Sequence, residues 1–145
     1  YESCDLLKAH EMAQTARQPY VKRPGEDLNS ILTGILEPKG KVHFCVTKPI
    51  DEAQLAPLEH LPLNDAVRQM AQMIDRAIAN AYQLMPTNMA AYEMLHPEEP
   101  QNAELDEAKA WLNQRMSQLT TAEERRHLLH IYANPVIAKQ QTKQS

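Results

Sequence analysis

Glycine and the large aromatics are scarce in this chain, with three glycines, one phenylalanine and one tryptophan among 145 residues. A β-sandwich or barrel draws on glycine for its turns and on aromatic residues for its strands, so the shortage argues against both. Long apolar runs are missing too, and no stretch approaches the ~20 residues needed to span a bilayer. The formal charge is −4 and no long basic run is present, which argues against nucleic acid as a partner. Cysteine occurs twice, at Cys4 and Cys45, far apart and without metal-ligand spacing. That usage suits a reduced cytoplasmic setting, although a pair of thiols leaves a bridge open. No signal peptide is legible, and the first residue is Tyr1 rather than Met, so the chain reads as a fragment or a processed product.

What is present favours helices. Hydrophobic residues make up 43% and charged residues 23%, the balance of a folded chain, and the length suits one domain with its own core. Ala, Leu, Met, Gln and Glu, all good helix formers, are abundant. A first helix is expected over about Asp5 to Thr15, with Asp5 as its cap. Pro19 and Pro24 break the chain before a second short helix or ordered segment over about Glu26 to Leu36. The clearest helix runs from about Asn64 to Tyr82, where Val67, Met70, Ile74, Ala77, Ile78 and Ala81 form one stripe. Shorter helices follow at about Asn88 to Leu95, Asn102 to Gln118, and Thr121 to Ala133. Thr121 and Glu124 have capping-box spacing, in which each side chain satisfies a backbone donor at the other residue. The polar tail 138–145 is expected to be disordered.

One segment reads differently. In Lys41-Val-His-Phe-Cys-Val-Thr47, after the turn at Glu37-Pro-Lys-Gly40, Val42, Phe44 and Val46 alternate with Lys41, His43 and Cys45. Period two is the signature of a strand. A lone strand leaves its backbone donors and acceptors unpaired, and the rest of the chain offers no second strand. The expected architecture is therefore mainly α-helical with one isolated strand whose partners lie in other sequence.

Few residues point to chemistry. His60 and Asp65 have the His-x-x-x-x-Asp spacing in which a histidine acts as general base and an aspartate orients it. Two common residues at one distance are a weak signal, and the plainer reading is a loop histidine followed by a capping Asn64 or Asp65. His127 and His130 are three apart on one helix, with Glu124 the only further ligand at helical spacing, too few for a metal site. Arg17, Lys22 and Arg23 around Tyr20 suit a phosphate or lipid headgroup, but equally an ordinary solvated loop. Cys4 has no identifiable base beside it. Met70, Met73 and Ile74, like Trp111 with Leu112, read as packing surfaces.

Five stretches carry a family likeness: Tyr1-Glu-Ser-Cys-Asp-Leu-Leu-Lys-Ala9; Glu26-Asp-Leu-Asn29 with Thr33-Gly-Ile-Leu36; Gly40-Lys-Val-His-Phe44; Thr87-Asn-Met-Ala-Ala-Tyr92; and Ile131-Tyr-Ala-Asn-Pro135. In this order they resemble the C-terminal portion of a bacterial branch of the lysophosphatidate/glycerol-phosphate acyltransferase family. The resemblance implies a C-terminal fragment of an α/β acyltransferase fold: residues 1–50 ending the α/β domain with its final strand, 51–137 a helical extension, and 138–145 the tail. It implies acyl transfer from acyl-CoA or an acyl-carrier protein to a lysophospholipid-type hydroxyl in phospholipid synthesis, without metal or organic cofactor. It also implies a cytoplasmic enzyme with peripheral contact to the inner membrane. The family's catalytic His-x-x-x-x-Asp, its arginine-bearing phosphate site and its Glu-Gly-Thr-type block all precede the region matched. No catalytic residue is therefore expected on this chain, and the partner expected for it is the catalytic half of the same protein. By position, after the final strand, His60 and Asp65 are not that catalytic pair. A self-contained helical interaction module is the rival expectation.

Overall fold

The computed structural model describes residues 2–144, and among them the chain is mainly helical. The helices are α1 (Asp5–Thr15), α2 (Glu26–Leu36), α3 (Glu52–Leu55), α4 (Leu63–Ala81), α5 (Pro86–Leu95), α6 (Asp106–Met116) and α7 (Ala122–Gln144). Two 3₁₀ turns, Ala56–His60 and Ala103–Leu105, lead into α4 and α6. Compactness divides the chain differently from the sequence-based boundaries at residues 50 and 137. One unit runs to Val42 and resumes over Leu84–Ile137; the other takes His43–Gln83 and the residues from Ala138 onward.

The first unit has a well-formed core. Ala9 of α1, Ala90 and Ala91 of α5, Leu112 of α6, and Leu128, Tyr132 and Ala133 of α7 are all essentially inaccessible. Alanines at 9, 90, 91 and 133 let the helix backbones approach, while Leu112, Leu128 and Tyr132 fill the space between them. Burying each such leucine contributes about 1.5–3 kcal/mol. Asn88 anchors α5 to α7: its amide donates to the Tyr132 carbonyl at 2.9 Å while its Oδ1 accepts the Met85 N–H at 2.8 Å. Trp111 packs edge-on to Tyr132, with ring centroids 5.7 Å apart, the helix packing expected of it. α2 belongs to this unit but buries no residue; Leu28, Ile31, Leu32, Ile35 and Leu36 are exposed.

The second unit is thinner, and Leu58 in its 3₁₀ turn is its only buried hydrophobic among the described residues. Asp51 opens α3 with a capping box, accepting the Gln54 N–H while the Gln54 side chain accepts the Asp51 N–H. α4 follows the expected bounds closely, yet none of its residues is buried. At its C-terminal end the Lys139 ammonium donates to the carbonyls of Asn80 (3.3 Å) and Tyr82 (2.8 Å), where a cation complements the helix dipole.

Three local expectations are corrected. First, residues 41–47 form no strand. Residues 41–50 make no backbone–backbone hydrogen bond among the described residues, and Val42, Phe44 and Val46 are 78–86% exposed. An alternating pattern favours extended backbone, but a strand exists only where a neighbour completes its ladder. The isolated strand, and the α/β fragment built on it, are thus not formed by this chain alone. Second, Asp5 does not cap α1 from outside; it is the first helical residue, and Cys4, in the left-handed conformation at φ 60°, takes the cap position without a side-chain bond. Third, α7 neither stops near Ala133 nor yields to a disordered tail, but continues through Pro135 to Gln144. Proline removes one donor, leaving the Ile131 carbonyl without its helical partner, and helix resumes beyond it.

Candidate functional site

The first unit converges on a buried charge cluster. Asp5 opens α1, Arg115 lies in the last turn of α6, Tyr132 is in mid-α7, and Glu37 directly follows α2. Asp5 is 1% exposed. Its Oδ1 accepts the Leu6 N–H at 2.7 Å and Arg115 Nη2 at 2.6 Å, and Arg115 Nε lies 3.1 Å from both carboxylate oxygens. Oδ2 accepts the Tyr132 hydroxyl at 2.7 Å. The same Nη2 donates to Glu37 at 2.6 Å, and Glu37's other oxygen accepts the Cys4 N–H at 3.3 Å.

These contacts hold two of the groups in one protonation state. Hydrogen bonds to Asp5 raise the Arg115 pKa further still, and the guanidinium stays charged. Burial first, then the hydrogen bond to Asp5 and its charge, hold the Tyr132 phenol well above its usual range. Such a tyrosine does not ionise near neutrality. The cluster is a clamp that ties α1, α6, α7 and the end of α2 together.

A shallow cleft of about 210 Å³ opens beside it, lined by Glu2, Glu37, Pro38, Trp111, Gln114 and Gln118 along with Arg115. Its lining has two acidic residues and one guanidinium, already engaged by Asp5 and Glu37, a poor cradle for a phosphate.

A second polar node joins α1 to α7. Glu124, 5% exposed, accepts from His10 Nδ1 at 2.6 Å, from the N–H groups of Thr120 and Thr121 at 2.9 Å each, and from the Thr120 hydroxyl at 3.0 Å. The Thr121 hydroxyl accepts the Glu124 N–H at 3.1 Å, completing the capping box read from the sequence. The His10 bond and these neighbouring donors hold the Glu124 pKa down at about 2. Gln14 lies 2.7 Å from the other ring nitrogen, an arrangement satisfied by the Nδ1–H tautomer. A third pair, Lys109–Glu93 at 2.7 Å, is largely buried, and the hydrogen bond from Lys109 lowers the Glu93 pKa.

The residues singled out by sequence are not gathered into a catalytic constellation. His60, itself exposed, ends the 3₁₀ turn and makes no hydrogen bond or ion pair with Asp65, whose partner is Arg68 at 3.5 Å. His127 and His130 are half-buried on α7, and burial lowers the His130 pKa. No group of three or more His, Cys, Asp or Glu residues among those described is placed to hold a metal. Arg17 pairs with Glu123 at 2.7 Å and Lys22 with Asp27 at 2.6 Å, while the Tyr20 hydroxyl donates to Glu26. Arg17 and Lys22 are thus engaged in ion pairs, the first of them with α7. Cys4 Sγ donates to the Ser30 carbonyl at 3.2 Å, a link between α1 and α2. Met70 and Met73 are half-buried, and Ile74 is exposed.

No family model, curated protein or solved structure matches the chain. No helix among the described residues is long and apolar enough to cross a membrane.

Proposed function

We propose that this chain is the C-terminal, non-catalytic part of an acyltransferase that acylates a glycerophosphate-type hydroxyl, and that it completes and braces the catalytic half. The observation that carries this reading is the state of residues 41–47. The segment has strand periodicity, an unpaired backbone and three large apolar side chains in solvent. A neighbouring sheet edge would satisfy both its backbone groups and its apolar face. The exposed apolar side chains of α2 support the same reading independently. The family likeness supplies the chemistry: an acyl group passes from the thioester of acyl-CoA or acyl-carrier protein to the hydroxyl of a lysophospholipid-type acceptor. A self-contained interaction module accounts for the missing strand but leaves the bare face of α2 unexplained.

The test is an acyl-transfer assay with acyl-CoA or acyl-carrier-protein donors and lysophosphatidate or glycerol 3-phosphate as acceptor. The chain alone should give no product, and the polypeptide that includes the residues encoded before Tyr1 should be active. Turnover by the chain alone, abolished by His60→Ala, would place the catalysis here and overturn the proposal.

A further inference from the structure

Glu37 is tied more firmly than the end of a surface helix requires. α2 stops there because Pro38 disfavours helical backbone in the residue before it, and Glu37 is extended at φ −64° and ψ 141°. Its carboxylate nevertheless reaches back into the clamp, one oxygen accepting Arg115 Nη2 at 2.6 Å and the other the Cys4 N–H at 3.3 Å. Charge balance does not ask for this. Asp5 already meets Arg115 through Nη2 at 2.6 Å and through Nε, 3.1 Å from both carboxylate oxygens. A second carboxylate on the same guanidinium adds little to neutralisation. What it adds is a fixed point for the chain, in a half-buried place where salt screens the pair less than in open solvent.

The residues that follow carry this fixed point forward to 41–47. The ring of Pro38 locks its φ. The Lys39 ammonium donates back to the Glu37 carbonyl. Gly40 takes the left-handed conformation at φ 63°, which a side chain would oppose. Lys41 lies four positions beyond Glu37, within roughly 14 Å of it even at full extension. A free segment loses its backbone entropy when it docks, and a segment already held in direction loses less.

We infer that Glu37 is a positioning residue: held by Arg115 and the Cys4 amide, it sets the direction from which residues 41–47 meet the sheet of the catalytic half. That role rests on the proposed function, to which it adds the residue that aims the segment.

Two measurements on Glu37→Ala separate this role from general stability and from the proposed function itself. In the chain alone, nitrogen-15 relaxation reads the backbone order of Lys41 and Val42. Order parameters near the ~0.85 of rigid backbone are expected in the parent, and below about 0.6 in Glu37→Ala. Glu37→Gln keeps the length of the side chain and one acceptor, and should fall between. Pro38→Gly loosens the same arm without touching the clamp and should also lower the order. The amides of α5, α6 and α7 should keep theirs in every variant, because Asp5 still neutralises Arg115.

The second measurement is hydrogen exchange in the polypeptide that includes the residues encoded before Tyr1. Exchange at 41–47 should be at least about tenfold faster in Glu37→Ala than in the parent, with the α5–α7 amides unchanged. A mobile Lys41 in the parent chain, order indifferent to the variants, or a longer polypeptide that protects 41–47 equally well without Glu37 would each overturn the inference and leave the proposed function standing. Protection lost throughout the chain would make Glu37 a structural residue only and overturn the inference too. Free exchange at 41–47 in the longer parent polypeptide would overturn the proposed function, and this role with it.

Discussion

At the scale of single residues, the strongest constraints are charges withdrawn from water. Asp5 is buried with its carboxylate shared among Arg115, Tyr132 and the Leu6 amide. Arg115→Ala would leave that charge without its cation, a loss of about 3–5 kcal/mol on the usual scale for an orphaned buried ion. Urea denaturation followed by circular dichroism should show the midpoint fall accordingly, and an unchanged midpoint would mean that water reaches Asp5. Glu124 gives a pH signature. Its pKa is about 2 in the folded chain against an ordinary 4.5, so the folded state binds its proton less readily than the unfolded state. The resulting stabilisation is fully present above about pH 4.5 and is lost as pH falls toward 2. Glu124→Gln should flatten that part of the stability–pH curve, as measured by thermal melts at a series of pH values. At Gly25 the backbone has φ +83° with nothing within 4 Å of where a Cβ would sit. Gly25→Ala should therefore cost about 1–2 kcal/mol from the left-handed conformation alone, again read from the urea midpoint.

At the scale of elements, burial sorts segments that look alike in sequence. Leu112 on α6 is fully buried, and Leu112→Ala should cost about 2–5 kcal/mol. Phe44, though larger, is 86% exposed, and Phe44→Ser should change stability by less than about 0.5 kcal/mol. A paired stability measurement on the two variants checks this, and a large loss at Phe44 would mean that the segment packs after all. The helices were legible because apolar spacing and proline breaks are local: α1, α2 and α4 fall within a residue or so of where periodicity sets them. The Thr121–Glu124 cap was legible for the same reason. The strand pattern at 41–47 is equally local, but a strand is a property of two segments, and the pattern cannot supply the second. Asp5 was misread because a short acid at a helix start looks like a cap, whereas its partner Arg115 is 110 residues away. That pairing, like His10 with Glu124 at a separation of 114, leaves no trace in any window of neighbouring residues. The expected end near Ala133 fell short, since a helix can continue past the one hydrogen bond lost at Pro135.

At the scale of the molecule, one unit has a core, internal ion pairs and tied helix ends, while apolar surfaces on α2, on 41–47 and on α4 remain uncovered. The acyltransferase proposal assigns the first two to a catalytic half. Hydrogen exchange at the amides of residues 41–47 tests that assignment most directly, in the chain alone and in the polypeptide that includes the residues encoded before it. Free exchange in the chain alone, becoming slow in the longer polypeptide, is the expected result. Slow exchange in the chain by itself, or free exchange in both, would contradict the account.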